Sequence, residues 1–458
     1  MQILRVSSAL ATLALVLAAS VAPSPAYSTT PMTGNYANTG SGASRVNLPA
    51  AFRNASPQNP TSIDLIDQAI ARGQISAEQG LIYKVYSQFS DSRLPTQFVS
   101  PTNGHSGDLV MEDVATQAGT LSDSTKQLLT PFFVPPNDPR SWYYLPRLSA
   151  SGAPASVQET AADWVFKSAA GGKVRVFYYS TNASAEAKAT EIAAQFDAKI
   201  WSRLTTLMQN EPWPNTAGAT DIYLWSSYIR NNGTVVPFSA SILGITVGSR
   251  CDQSGVVIYL PDTLPIGSEV SEGLLQYATH EYMHAIQFGL TIQSCGSYRW
   301  LKEATATWAE DYVYPQAKSE HGTASSYLNR PTARLDDTNG MHDYGAYLLF
   351  YFLTHKVDTT AAVVRYAWTN AATNANSYLA VDAAVNQAAP AYHDAYWPMY
   401  LATLWNKAPY QTYYATDDGL NATVATAGGA PINIASPSGE QVTPLNAEIP
   451  TGGRCSSI

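Results

Sequence analysis

His280, Glu281 and His284 spell H-E-x-x-H, and Glu303 follows the second histidine after eighteen intervening residues. An α-helix turns about 100° per residue, so histidines at i and i+4 stand one above the other on a single face, and Glu281 overlooks the same space. Two neutral imidazoles and a carboxylate from a second helix make a three-ligand site for one Zn2+, with the fourth position left to water. The expected metal ligands are therefore His280, His284 and Glu303.

Two helices must present them. Leu274, Leu275, Ala278, Tyr282, Ala285 and Ile286 give helical apolar spacing around the histidines. Ser268 or Ser271 is the expected cap at its start, and Gly289 the expected stop. The segment from Trp300 to Asp311 is rich in Ala and Glu, contains no Gly or Pro, and predicts a second helix. Glu303, Thr307 and Glu310 fall at i, i+4 and i+7 on one face of it, which places Glu310 to hold a ligand histidine's ring nitrogen from behind.

H-E-Y-M-H followed at this distance by W-L-K-E-A-T-A-T-W-A-E resembles the gluzincin metallopeptidases, the clan of thermolysin and the zinc aminopeptidases. The resemblance implies zinc on His280, His284 and Glu303, with Glu281 as general base for water attacking a peptide carbonyl. The aminopeptidase branch grips its substrate's amino terminus with a G-x-M-E-N segment, which has no counterpart between Gly255 and Glu272. An endopeptidase with a cleft open at both ends is expected instead. The family also supplies a Tyr or His donor to the oxyanion from a helix downstream of the third ligand. The segment from Met341 to Leu353 resembles that helix in two registers, one offering Tyr344 and the other His342. Tyr344, Tyr347 and Tyr351 fit a packed aromatic stripe as well. His105, His321, His355 and His393 lack paired spacing and are expected as surface or hydrogen-bonded residues rather than ligands.

Residues 1–28 read as a secretory signal peptide, with a short apolar core from Leu10 to Val21, and no later stretch has the length of a membrane span. An exported protein is the expectation. Only 13% of the 458 residues are charged, and the net charge of −9 argues against nucleic acid as a partner. A protein or peptide substrate is expected. In an oxidising compartment two of the three cysteines should pair. Cys251 with Cys295 would tie two loops near the metal helices, and Cys295 with Cys455 would pin the carboxyl tail.

The chain divides on composition into the leader, an N-terminal helical accessory or pro-segment over 29–140, a catalytic domain over 141–408 and a tail over 409–458. Helices are expected at Ile63–Arg72, Ser76–Phe89 and Ser184–Met208, and strands at Lys173–Tyr179, Asp221–Trp225 and Val256–Leu260. The implied class is α+β: a mixed sheet backing the active-site helix, and a mostly helical half completed by Tyr344–His355, Thr360–Asn370 and Ala391–Trp405. By the same resemblance an edge strand binds substrate backbone, and Val256–Leu260 is the candidate. Two other readings remain: an extracellular binding protein with a relic zinc site, or a zinc hydrolase of non-peptide bonds. A relic would be expected to lose its base first, and Glu281 is present.

Overall fold

The computed structural model describes residues 60–100, 107–144, 161–225, 227–229, 235–237, 243–328, 330, 333–404 and 413–420. The expected signal peptide and Cys455 lie outside these residues, as does most of the tail. Among the described residues, no helix is long and apolar enough to cross a membrane.

Four helices come first: α1 (Ser62–Ala71), α2 (Ala77–Gln88), α3 (Gly107–Gln117) and α4 (Asp123–Leu129). Local chemistry starts α1, where Thr61 accepts from the Asp64 N–H and the Asp64 carboxylate accepts from the Thr61 N–H. Gly73 at φ 67° turns the chain into α2, which Ser76 caps.

Strands β1 (Trp164–Ala169) and β2 (Val174–Tyr179) form an antiparallel pair. The chain then enters α5 (Ala183–Gln195), capped by Asn182, passes a π-turn at Phe196–Ile200 and continues as α6 (Trp201–Met208). Ile192, Phe196, Ile200 and Leu204 are fully buried, as their four-residue spacing predicts. β3 (Thr220–Trp225), the hairpin β4 (Ser227–Ile229) and β5 (Val235–Pro237), β6 (Ile245–Gly248) and β7 (Val256–Pro261) follow.

The five-stranded sheet has the order β1-β2-β3-β7-β6, with β2, β3 and β7 parallel and both outer strands antiparallel. A mixed sheet and an α and β protein are thus as expected. The candidate edge strand is corrected. β7 is flanked by β3 and β6, so Val256–Leu260 is interior and the edge beside it belongs to β6. A buried run of apolar residues reads the same in either position, because strand order is set by long-range pairing.

Side-chain alternation divides the core. Val176, Ile222, Leu224, Ile258 and Leu260 face α5, α6 and the metal-bearing helices, whereas Trp164, Phe177, Tyr223, Trp225 and Tyr259 face α1–α4. The second layer is largely aromatic: Trp142 lies 4.6 Å from Trp225 and 4.9 Å from Phe89 between ring centroids. The N-terminal helices therefore share a core with the sheet.

The helical half comprises α7 (Leu274–Phe288), α8 (Arg299–Val313), α9 (His321–Leu328), α10 (His342–Gly345), α11 (Tyr347–Phe352), α12 (Ala362–Asn370), α13 (Ser377–Ala388) and α14 (Tyr396–Leu404). α7 starts on Gly273 with no side-chain cap. Ser268 and Ser271 bond to one another instead, hydroxyl to hydroxyl at 2.7 Å, so neither caps it. Gly289 ends it as expected.

α3 packs against β6 and also reaches α8. Asp113 pairs with Arg299, and Glu112 Oε2 lies 2.8 Å from Lys302 Nζ, both side chains at most 3% exposed. Removing one partner of such a pair strands a charge in the interior. Glu112→Ala should cost about 3–5 kcal/mol in urea unfolding. A loss below about 1 kcal/mol, the level of a surface pair, would mean that water screens this one.

Candidate metal centre

α7 carries His280, Glu281 and His284, and α8 carries Glu303 and Glu310. The two helices pack along one another, and all five side chains are buried. His280 Nε2 lies 3.1 Å from His284 Nε2 and 3.4 Å from Glu303 Oε2, and His284 Nε2 lies 3.3 Å from that same oxygen. Ligand atoms about 2.05 Å from a tetrahedral zinc stand about 3.3 Å apart. The three separations match that edge length. Neither Glu303 oxygen makes a hydrogen bond among the described residues, although the side chain is only 1% exposed. A buried carboxylate facing two imidazoles without a donor fits a metal ligand. This group could therefore hold a metal ion.

The imidazoles are oriented from behind. His280 Nδ1–H donates to Glu310 Oε1 at 2.8 Å, and His284 Nδ1–H donates to Gln287 Oε1 at 2.8 Å. Each bond leaves the Nε2 lone pair facing Glu303. Glu310 is where its helical spacing put it, and its other oxygen accepts from Ser319 Oγ at 2.5 Å. Gln287 was not singled out from sequence, although its position three residues after His284 was a usable signal. Its amide in turn donates to the Lys302 carbonyl and to Thr305 Oγ1.

Glu281 is held by β6. Thr246 Oγ1 donates to Glu281 Oε2 at 2.6 Å. Gly244 lies so close that a Cβ there would come within 2.3 Å of Glu281 Oε1, so this approach requires glycine. Neither residue carries a sequence signal, because strand pairing and helix packing bring them to Glu281.

Charge within the cluster is strongly shifted. Burial lifts the Glu281 carboxyl to about 7. Burial disfavours a charged His280, but the Glu303 and Glu310 carboxylates outweigh it and raise the imidazole well above its ordinary value. Burial likewise opposes ionised Glu303, yet the two imidazoles hold it well below the usual range. The cradle attracts positive charge, for which a proton and a metal ion compete. Asp343, fully buried and subject to the charge on Glu303, is pushed well above its ordinary range, chiefly by burial.

The two downstream candidates part company. The Tyr344 ring stacks on His280 with centroids 5.6 Å apart and planes 8° from parallel. His342 packs on the Tyr327 ring at 4.6 Å, and burial lowers its pKa to about 4. Tyr347 and Tyr351 are buried in the helical core, so the aromatic stripe holds for them. His355 Nδ1–H donates to the Tyr351 carbonyl at 2.8 Å and His393 pairs with Asp382 at 3.1 Å, as expected of non-ligands. His321, expected likewise, instead meets Glu320 and Asp418 in a group that could hold a metal ion, and His105 lies outside the described residues.

Cys251 and Cys295 form a disulfide with Cα atoms 6.0 Å apart, which joins the loop after β6 to the loop between α7 and α8. Such a bond fits an oxidising compartment. No protein-family model matches this chain, and no curated protein matches it significantly.

Proposed function

We propose that the protein is an exported zinc-dependent metallopeptidase of gluzincin type that cleaves within peptide chains. The observation that carries this reading is the set of three mutual separations, 3.1, 3.3 and 3.4 Å, among His280 Nε2, His284 Nε2 and Glu303 Oε2. Two imidazole nitrogens and one carboxylate oxygen suit Zn2+ better than Ca2+ or Mg2+, which prefer all-oxygen sites. When bound, zinc supplies Lewis acidity and lowers the pKa of water towards about 7.

The chain's own residues account for the remainder. Glu281, with a carboxyl near 7, would accept the proton of the attacking water and return it to the leaving amine nitrogen. Thr246 fixes the direction of that carboxylate. Tyr344, stacked on His280, is the favoured donor to the developing oxyanion. β6, the outer strand beside Glu281, is fully buried with α3 packed against it, and so serves to position Glu281. Export is supported by the apolar leader and the disulfide.

Casein digestion by the purified protein tests the reading. Cleavage should stop with a zinc chelator and return when Zn2+ is restored. Digestion at an unchanged rate in chelator would remove the metal from the mechanism. In the same assay Tyr344→Phe should slow turnover about 10²–10³-fold, the usual effect of losing one oxyanion donor, while His342→Ala should change kcat far less. The opposite ranking would transfer the role to His342.

A further inference from the structure

A second group of metal-type donors converges where α8 ends. His321 opens α9, Glu320 precedes it, and Asp418 arrives from the π-turn Tyr414–Asp418. His321 Nε2 lies 3.1 Å from Asp418 Oδ2 and 3.4 Å from Glu320 Oε1. One donor atom from each of the three lies within 4.8 Å of the other two. A ring nitrogen facing two carboxylate oxygens at these distances approaches the edge length of about 3.3 Å found around a tetrahedral N/O-ligated ion.

Glu320 supplies the independent observation. The residue is 1% exposed, and neither carboxylate oxygen makes a hydrogen bond to another described residue. Asp311 is buried nearby, and Lys318 Nζ lies 2.6 Å from Asp418 Oδ1 and 3.7 Å from Asp311 Oδ1. Three buried carboxylates thus meet one ammonium and one imidazole. Even a protonated His321 leaves one negative charge over, and an uncompensated buried charge is costly. A proton would relieve one of these contacts, whereas a divalent cation meets all three donors at once.

We propose that Glu320, His321 and Asp418 bind a second divalent cation, of the Zn2+ class because one ligand is an imidazole. The His321 side chain is 19% exposed and provides the route in. The ion joins the loop at 318–321 to the turn at Asp418. Ser319 in that loop donates to Glu310, which holds His280, so the second ion steadies the support of the first site. The assignment does not depend on the first site being hydrolytic.

Zn2+ titration of the metal-stripped full chain by calorimetry, with metal content measured after dialysis, tests it. Wild type should bind about two equivalents, and Glu320→Gln and His284→Ala about one each. His321→Ala, changed at a partly exposed position, should match Glu320→Gln and covers the case in which that variant does not fold. One equivalent in wild type that persists in Glu320→Gln and His321→Ala overturns the second site, as does retention of two in both variants. A single equivalent that disappears in His284→Ala would leave the first site standing and remove this one.

Discussion

Glu281→Gln should retain its metal and lose about 10²–10⁴-fold in kcat, the span over which a general base contributes. The substitution removes a proton acceptor and keeps the side chain's length. The Gln carbonyl can still accept from Thr246 Oγ1, now 2.6 Å from Glu281 Oε2, so position is largely conserved. The amide cannot take a proton at neutral pH, and neither Glu303, which faces the imidazoles, nor Glu310, bound to His280 and Ser319, is placed to take its role. Casein hydrolysis and metal content should be measured on one preparation. Turnover within tenfold of the parent, with zinc bound, would exclude Glu281 as the base.

Glu303→Ala should lose the ion itself and reduce casein cleavage to background. Loss of a partner behind a ligand typically weakens metal binding about 10–100-fold, and loss of the ligand should exceed that. The carboxylate is also the negative charge that faces both imidazoles, so its removal leaves two nitrogens meeting each other at 3.1 Å. Elemental analysis after dialysis, with circular dichroism to establish folding, reads the outcome. A folded Glu303→Ala protein with zinc still at the His280 site would strike Glu303 from the ligand set. Because the proposed second site shares no ligand with the first, total metal content must be read in a Glu320→Gln background to isolate this effect.

The expected site rests on α7 and α8 and on the spacing of residues along them. Those helices do bring four of the expected residues to one place, and Glu310 to its expected support position.

Local periodicity was legible in the chain itself. Histidines at i and i+4 must share a helix face, and Glu303 and Glu310 share the next, because helix pitch depends on neighbours within a turn or two. The buried stripe from Ile192 to Leu204 was accessible in the same way, from spacing, whereas the choice of Cys251–Cys295 over Cys295–Cys455 came from the structure. Tertiary structure alone decided that β6, not β7, forms the edge, and that Gly244 and Thr246 clasp Glu281. It also decided that Glu112 reaches Lys302 and that His321 meets Asp418 across the helical half. Each of these contacts joins residues far apart in the chain, and their partners follow from strand order and helix packing rather than from any repeat a linear pattern can display.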